Sequence, residues 1–218
     1  MADDLLLTLE QKAAPAHAAL VVVDVQNDFA AHGGFFDGLG NDMAHVQASV
    51  PPLRRLIEAA RRAGVLVVFV QAIYDDRDLS GPMRERNRRT RVETPRCLTG
   101  SWGADFYEVR PAAGEPVVIK HRYSAFHGTR LDALLRARGI RSLLLTGVAT
   151  DVCVESTARD GYFMDYYVTV VADCCGAGSK RDHDGALARF ERDYGGVTTS
   201  AEVVAAWARL PAPSATRT

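Results

Sequence analysis

Apolar positions along the chain fall into two kinds of segment that alternate. Leu20-Val21-Val22-Val23 is a continuous apolar run, as in a strand buried on both faces. Beyond a glycine-rich loop, Leu53, Leu56, Ile57 and Ala60 recur at i, i+3, i+4 and i+7, one face of an amphipathic helix. Pro51 and Pro52 stand where a helix start tolerates them, and Gly64 is placed to close that helix. Val65 to Val70 predicts a second buried strand and Val117 to Ile119 a third. Thr129 reads as an N-cap with Asp132 as its capping-box partner, Leu131, Leu134 and Leu135 as the apolar face, and Gly139 at the end. Strands over Ser142 to Thr146 and Tyr166 to Val171, a helix from near Val152, another around Gly185 to Arg192 and a last one capped by Ser200 complete the pattern.

Strands that alternate with helices make βαβ units with right-handed crossovers. The expected fold is a three-layer α/β/α sandwich with a mostly parallel, doubly wound sheet. Residues 1–17 read as an N-terminal arm, 18–210 as one domain and 211–218 as a C-terminal tail. The length of 218 residues suits one domain with a single sizeable core. The segment from Tyr74 to Asp105 lacks apolar periodicity and is long for a connection, which marks it as a lid, a binding loop or a subunit contact.

A formal net charge of −1 gives no general pull toward nucleic acid or an anionic membrane, and neither is expected as a partner. Arg84, Arg86, Arg88, Arg89 and Arg91 cluster in the long connection, either as a basic patch or, the better reading, as a solvated loop. The start of the chain lacks the basic residues and long apolar stretch of a signal peptide, and no apolar run is long enough to span a bilayer, so a cytoplasmic protein is expected. Cys97, Cys153, Cys174 and Cys175 are then thiols.

In an open α/β sheet, ligands bind outside the carboxyl ends of the strands. Asp24 ends the first strand, Lys120 ends the third, and Cys153 follows the fourth at a helix start. Each has a plain alternative: a turn cap, a solvated lysine, a small buried hydrophobe. Together they form a working set. A thiol needs deprotonation to attack, a carboxylate can take the proton, and an ammonium steadies the anion. A helix N-terminus adds the free N–H groups that an oxyanion requires.

At these residues the chain resembles the isochorismatase-like cysteine hydrolases. LVVVDVQNDF, Leu20 to Phe29, is similar to the family's opening signature, and TGVATDVCVESTARDG, Thr146 to Gly161, to the signature that carries its cysteine. Lys120 in VIKHRYSAF matches the family lysine. The resemblance implies that Asp24 is the base, Cys153 the nucleophile and Lys120 their electrostatic partner. It also implies a cis peptide at Val148–Ala149, with the N–H groups of Ala149 and Cys153 turned toward a substrate oxygen, and a homodimer or homotetramer. The middle segment and Trp207 are candidate contact elements for such an assembly.

Within the family, nicotinamidases carry an Asp-x-His…His metal site, whereas Gln71 to Asp78 here holds no histidine. Asp75, Asp76 and Asp78 could bind a hard cation, but a solvated acidic turn is the preferred reading, and no metal or other cofactor is expected. Isochorismatases that cleave a vinyl ether lack the cysteine, so Cys153 argues against that reaction. Lys120 to Phe126, Leu131 to Ile140 and CVESTARDGYF resemble ureidoacrylate amidohydrolases, while Asp173 to Ala177 and Gly195 to Val197 are more similar to biuret hydrolases. The expected activity is hydrolysis of a C–N bond in a small amide, ureide or N-carbamoyl compound through a thioester. Hydrolysis of a larger amide or lactam natural product, or of an ether, is the alternative. Candidate substrate-binding residues are Gln26, Phe29, Phe36, Trp102, Tyr123 and Phe126, with Tyr194 also near.

Overall fold

The computed structural model describes residues 5–92 and 94–210. The expected tail, 211–218, lies outside these. Among the described residues, six strands form one parallel sheet: β1 (Ala18–Val23), β2 (Leu66–Ala72), β3 (Val117–Lys120), β4 (Ser142–Val148), β5 (Tyr167–Gly176) and β6 (Gly196–Thr198). Their order is β3-β2-β1-β4-β5-β6. The chain builds outward from β1 in one direction and then from β4 in the other, which puts the topological switch point between β1 and β4.

The two faces of β1 explain its unbroken apolar run. Val21 and Val23 join a core that includes Leu131 and Leu135 of α7 (Leu131–Arg136), Ala158 of α8 (Glu155–Phe163) and Phe190 of α9 (Lys180–Asp193). Leu20 and Val22 join a second core with Leu53, Leu56 and Ile57 of α5 (Val50–Ala63) and Val203 and Trp207 of α10 (Ser200–Arg209). Helices cover both sides, giving the three-layer α/β/α sandwich. A strand with both faces covered has no polar side to show.

The short helix α1 (Leu9–Lys12) and the residue after it are fastened to α10. Trp207 Nε1 donates to Ala13 O at 2.8 Å, and Arg209 pairs with Glu10 at 2.8 Å. Trp207 is therefore buried within the protomer, against the expectation that it offers a contact to another subunit. No helix among the described residues is long and apolar enough to cross a membrane.

Several local expectations need correction. The connection from Tyr74 to Asp105 contains α6 (Gly81–Arg89), started by Ser80, whose hydroxyl accepts from Met83 N. Asn87 is its one buried residue, so α6 leaves no apolar stripe to read. The arginine cluster thus stands mostly on a helix. Thr129 is not the N-cap of α7, which begins at Leu131 after Arg130; its hydroxyl bonds Ala125 O and accepts from Leu131 N, while Asp132 is held by Arg136 and Tyr166. Thr199, not Ser200, caps α10, in a capping box with Glu202. Helix α9 starts earlier, at Lys180, capped by Ser179. The short strand β6 was not expected, because Gly196 and three residues of length give no pattern. The glycine-rich loop after β1 also folds into short helices: α2 (Asn27–Ala30), α3 (Phe35–Gly38) and α4 (Met43–Ala48).

Gly147 in β4 has φ 110°, and a Cβ there would lie 1.9 Å from Val23 O of the neighbouring strand. Only glycine lets β1 and β4 close at their carboxyl ends.

Candidate active site

Asp24 leaves β1 with φ 51°, in the left-handed region. Among non-glycine residues, Asp and Asn tolerate this region best. Asp24 N still donates to Val70 O at 3.0 Å, so the turn follows directly on the last rung of the sheet. Lys120 ends β3, and β2 separates that strand from β1. Two strand spacings come to about 10 Å, and only a long side chain bridges such a gap. Lys120 Nζ lies 2.7 Å from Asp24 Oδ2 and 3.4 Å from Cys153 Sγ, and it donates to Arg122 O at 2.9 Å. Cys153 belongs to a π-helical turn, Thr150–Val154, that runs into α8. The three side chains predicted as a set therefore meet, and Asp24, Lys120 and Cys153 are all buried.

Their electrostatics fit together. Burial pushes the Asp24 carboxyl up from its ordinary range, against the pull of Lys120. Burial opposes charge on Lys120, yet Asp24 and Cys153 outweigh it and hold the ammonium above its usual value. Burial pushes the Cys153 thiol up to about 12, with Lys120 offsetting only part. The resting arrangement is a neutral thiol, an ammonium and a carboxylate with raised proton affinity. Asp24 is held chiefly by Lys120, whose ammonium lies 2.7 Å from Oδ2.

A cavity of about 210 Å³ opens over Cys153. The predicted Phe29, Phe36 and Tyr123 line it, as do Val148, Ala149 and Cys153, and the Val148–Ala149 bond is cis. The other predicted lining residues stand elsewhere. Gln26 is spent on the backbone: its Nε2 donates to Ala72 O and Ala104 O, and its Oε1 accepts from Ala72 N. Phe126 is drawn into the core, stacked on Tyr166. Trp102 sits at the surface, 53 % exposed. Tyr194 packs against Phe190 and Arg159, away from the cavity.

The cavity also takes residues that the sequence did not mark as lining it, among them Tyr74, Arg86, Arg96 and Asp151. Tyr74 Oη is buried without a hydrogen-bond partner among the described residues, and burial raises its pKa well above the ordinary phenol value. Nothing in the local pattern separates Arg86 and Arg96 from the surface arginines around them. The acidic turn is occupied by protein partners. Asp75 accepts from Thr99 N and Oγ1, Asp76 pairs with Arg84, and Asp78 lies 3.4 Å from His121 Nδ1.

The isochorismatase domain model matches residues 18–202. The ureidoacrylate amidohydrolase RutB of Enterobacter sp. (strain 638) is 39 % identical over 203 residues, which cover 87 % of this chain and 88 % of the relative. A crystal structure of a cysteine hydrolase from Pseudomonas syringae pv. phaseolicola 1448A superposes with a TM-score of 0.79 at 29 % identity, covering 95 % of this chain and 99 % of the other. The N-carbamoylsarcosine amidase of Thermoplasma acidophilum superposes with a TM-score of 0.69 at 32 % identity, covering 84 % and 96 %. With the domain match spanning most of its length, this chain belongs to the isochorismatase family.

Proposed function

We propose that the chain is a metal-independent amidohydrolase that cleaves a C–N bond of a small amide, ureide or N-carbamoyl compound through a Cys153 thioester. At the coarser level it is a hydrolase acting on carbon–nitrogen bonds other than peptide bonds. The observation that carries the finer reading is Lys120 Nζ between Asp24 Oδ2 at 2.7 Å and Cys153 Sγ at 3.4 Å, beside the cavity.

In this reading Asp24 takes the proton from Cys153, and the thiolate attacks the carbonyl carbon. Lys120 stays charged and balances the negative charge as it moves from carboxylate to sulfur. The backbone N–H groups of Ala149 and Cys153 hold the oxyanion. When the C–N bond breaks, Asp24 returns the proton to the leaving nitrogen. Water then attacks the thioester, Asp24 takes the water's proton, and it passes to sulfur as the acid departs. No step runs through a metal.

The cavity volume of about 210 Å³ supports a small substrate. Sites for drug-sized ligands run to roughly 300–1,000 Å³, so a bulky lactam is disfavoured. The relatives' names make ureidoacrylate the first compound to assay. A homodimer or homotetramer in the cytoplasm is part of the same reading.

The test is ammonia release by Cys153→Ala and Cys153→Ser across ureidoacrylate, biuret, N-carbamoyl amino acids and nicotinamide. Both variants should be inactive, and mass spectrometry of the wild type should trap an acyl adduct on Cys153. Full activity in the alanine variant would sink the nucleophile assignment.

A further inference from the structure

Arg96 is a second feature of the cavity that asks for a partner. Its side chain is 7 % exposed and lines the cavity that Cys153 also lines. The guanidinium carbon lies 4.9 Å from the Phe35 ring centroid and 5.0 Å from that of Tyr74. Among the described residues, no carboxylate forms a salt bridge with Arg96. A buried cation held only by ring faces lacks its counter-charge. The guanidinium carbon thus lies over two ring faces, and the coplanar N–H donors of a guanidinium are the group that a carboxylate engages bidentately. Arg86, from α6, lines the same cavity and is half-buried.

The cavity is polarised. Arg86 and Arg96 come from the chain that follows β2. Asp151 and Asp182 also line it, and they come from the chain that follows β4 and β5. An anionic group is drawn to the first side and repelled from the second.

We propose that Arg96, assisted by Arg86, binds a substrate carboxylate. The substrate is then an anionic ureide or N-carbamoyl acid, whose carbamoyl group reaches Cys153 while its carboxylate meets the Arg96 guanidinium. The assignment of a substrate rests on the amidohydrolase reading; the carboxylate site itself does not.

Two measurements test it. The first is the ratio of kcat/KM for ureidoacrylate to that for its methyl ester, in wild type and in Arg96→Gln. Glutamine keeps a planar polar group beside the rings and removes the charge. Loss of charged hydrogen bonds should lower the ratio roughly 100-fold, chiefly through KM, and Arg96→Lys should recover part of it. An unchanged ratio overturns the proposal. The second is calorimetric binding of ureidoacrylate to Cys153→Ala, compared with Cys153→Ala/Arg96→Gln. Binding should weaken by a similar factor in the double variant, and equal affinity overturns the proposal. Because Cys153→Ala performs no thiol chemistry, this result holds whichever way the nucleophile assignment falls. Thermal melts establish that each variant is folded.

Discussion

Asp24 and Lys120 stand 2.7 Å apart with neither side chain exposed to solvent. Two ions removed from water depend on each other, because desolvation is repaid only while the partner is present. Asp24→Asn or Lys120→Met alone should each cost about 3–5 kcal/mol. The double variant should cost less than the sum of the two, by more than the few tenths expected of independent sites. Urea unfolding of the four proteins measures the cycle, and simple additivity would show that the pair is not coupled.

The same burial sets the pH profile. The proposed base works only when ionised, and its pKa is raised. The kcat/KM should therefore fall on the acid side at a pH above the ordinary aspartate value of about 3.9. The Cys153 thiol, pushed up to about 12, contributes no ionisation step near neutrality. For stability, a raised folded-state pKa on Asp24 means that its contribution is full below the unfolded value and is lost as pH rises through the folded value. A pH–rate series locates the acid limb; finding it at or below the ordinary carboxylate range would contradict the burial argument.

Gly147→Ala should be close to non-permissive. Its Cβ would meet Val23 O at 1.9 Å, and φ 110° is poorly tolerated by alanine. A loss of about 3 kcal/mol or more is expected from strain and from strand separation. Soluble yield and melting temperature report it. Gly38→Ala, where a Cβ meets nothing within 4 Å, serves as the control.

Gln26→Leu should lower both stability and activity. The substitution removes the side-chain partner of Ala72 N and Ala72 O and one of the two side-chain donors to Ala104 O, which Gln71 Nε2 still reaches. Three bonds at about 1 kcal/mol each imply roughly 3 kcal/mol. Ala72 neighbours Ile73 and Tyr74, so the cavity wall should loosen and KM should rise. A variant as stable as wild type would mean that the amide is dispensable.

The fold was legible where burial on two faces leaves unbroken apolar runs, as at Leu20 to Val23 and Val65 to Val70. The meeting of Asp24, Lys120 and Cys153 was legible because strand ends converge by topology. Helix α6 was not, since a helix that buries only Asn87 shows no period. Arg96 was missed for a related reason. Its surroundings, Phe35 and Tyr74, come from distant loops, and only the folded chain reveals that this arginine, unlike its neighbours, has left water. Gln26 misled in the opposite direction: a polar residue beside Asp24 reads as ligand-facing until its amide is found bonded to backbone.

The switch point between β1 and β4 also divides the chain in time. Asp24 and Lys120 lie on the half that is synthesised first, and Cys153 on the half that follows. A ribosome thus delivers the carboxyl group and its counter-ion before the sulfur that lies beside them in the folded chain. The cluster is complete only when β4 docks against β1, through the contact that Gly147 permits. Assembly of the sheet and assembly of the Asp24–Lys120–Cys153 cluster are then one event, and a half-finished chain carries no such cluster.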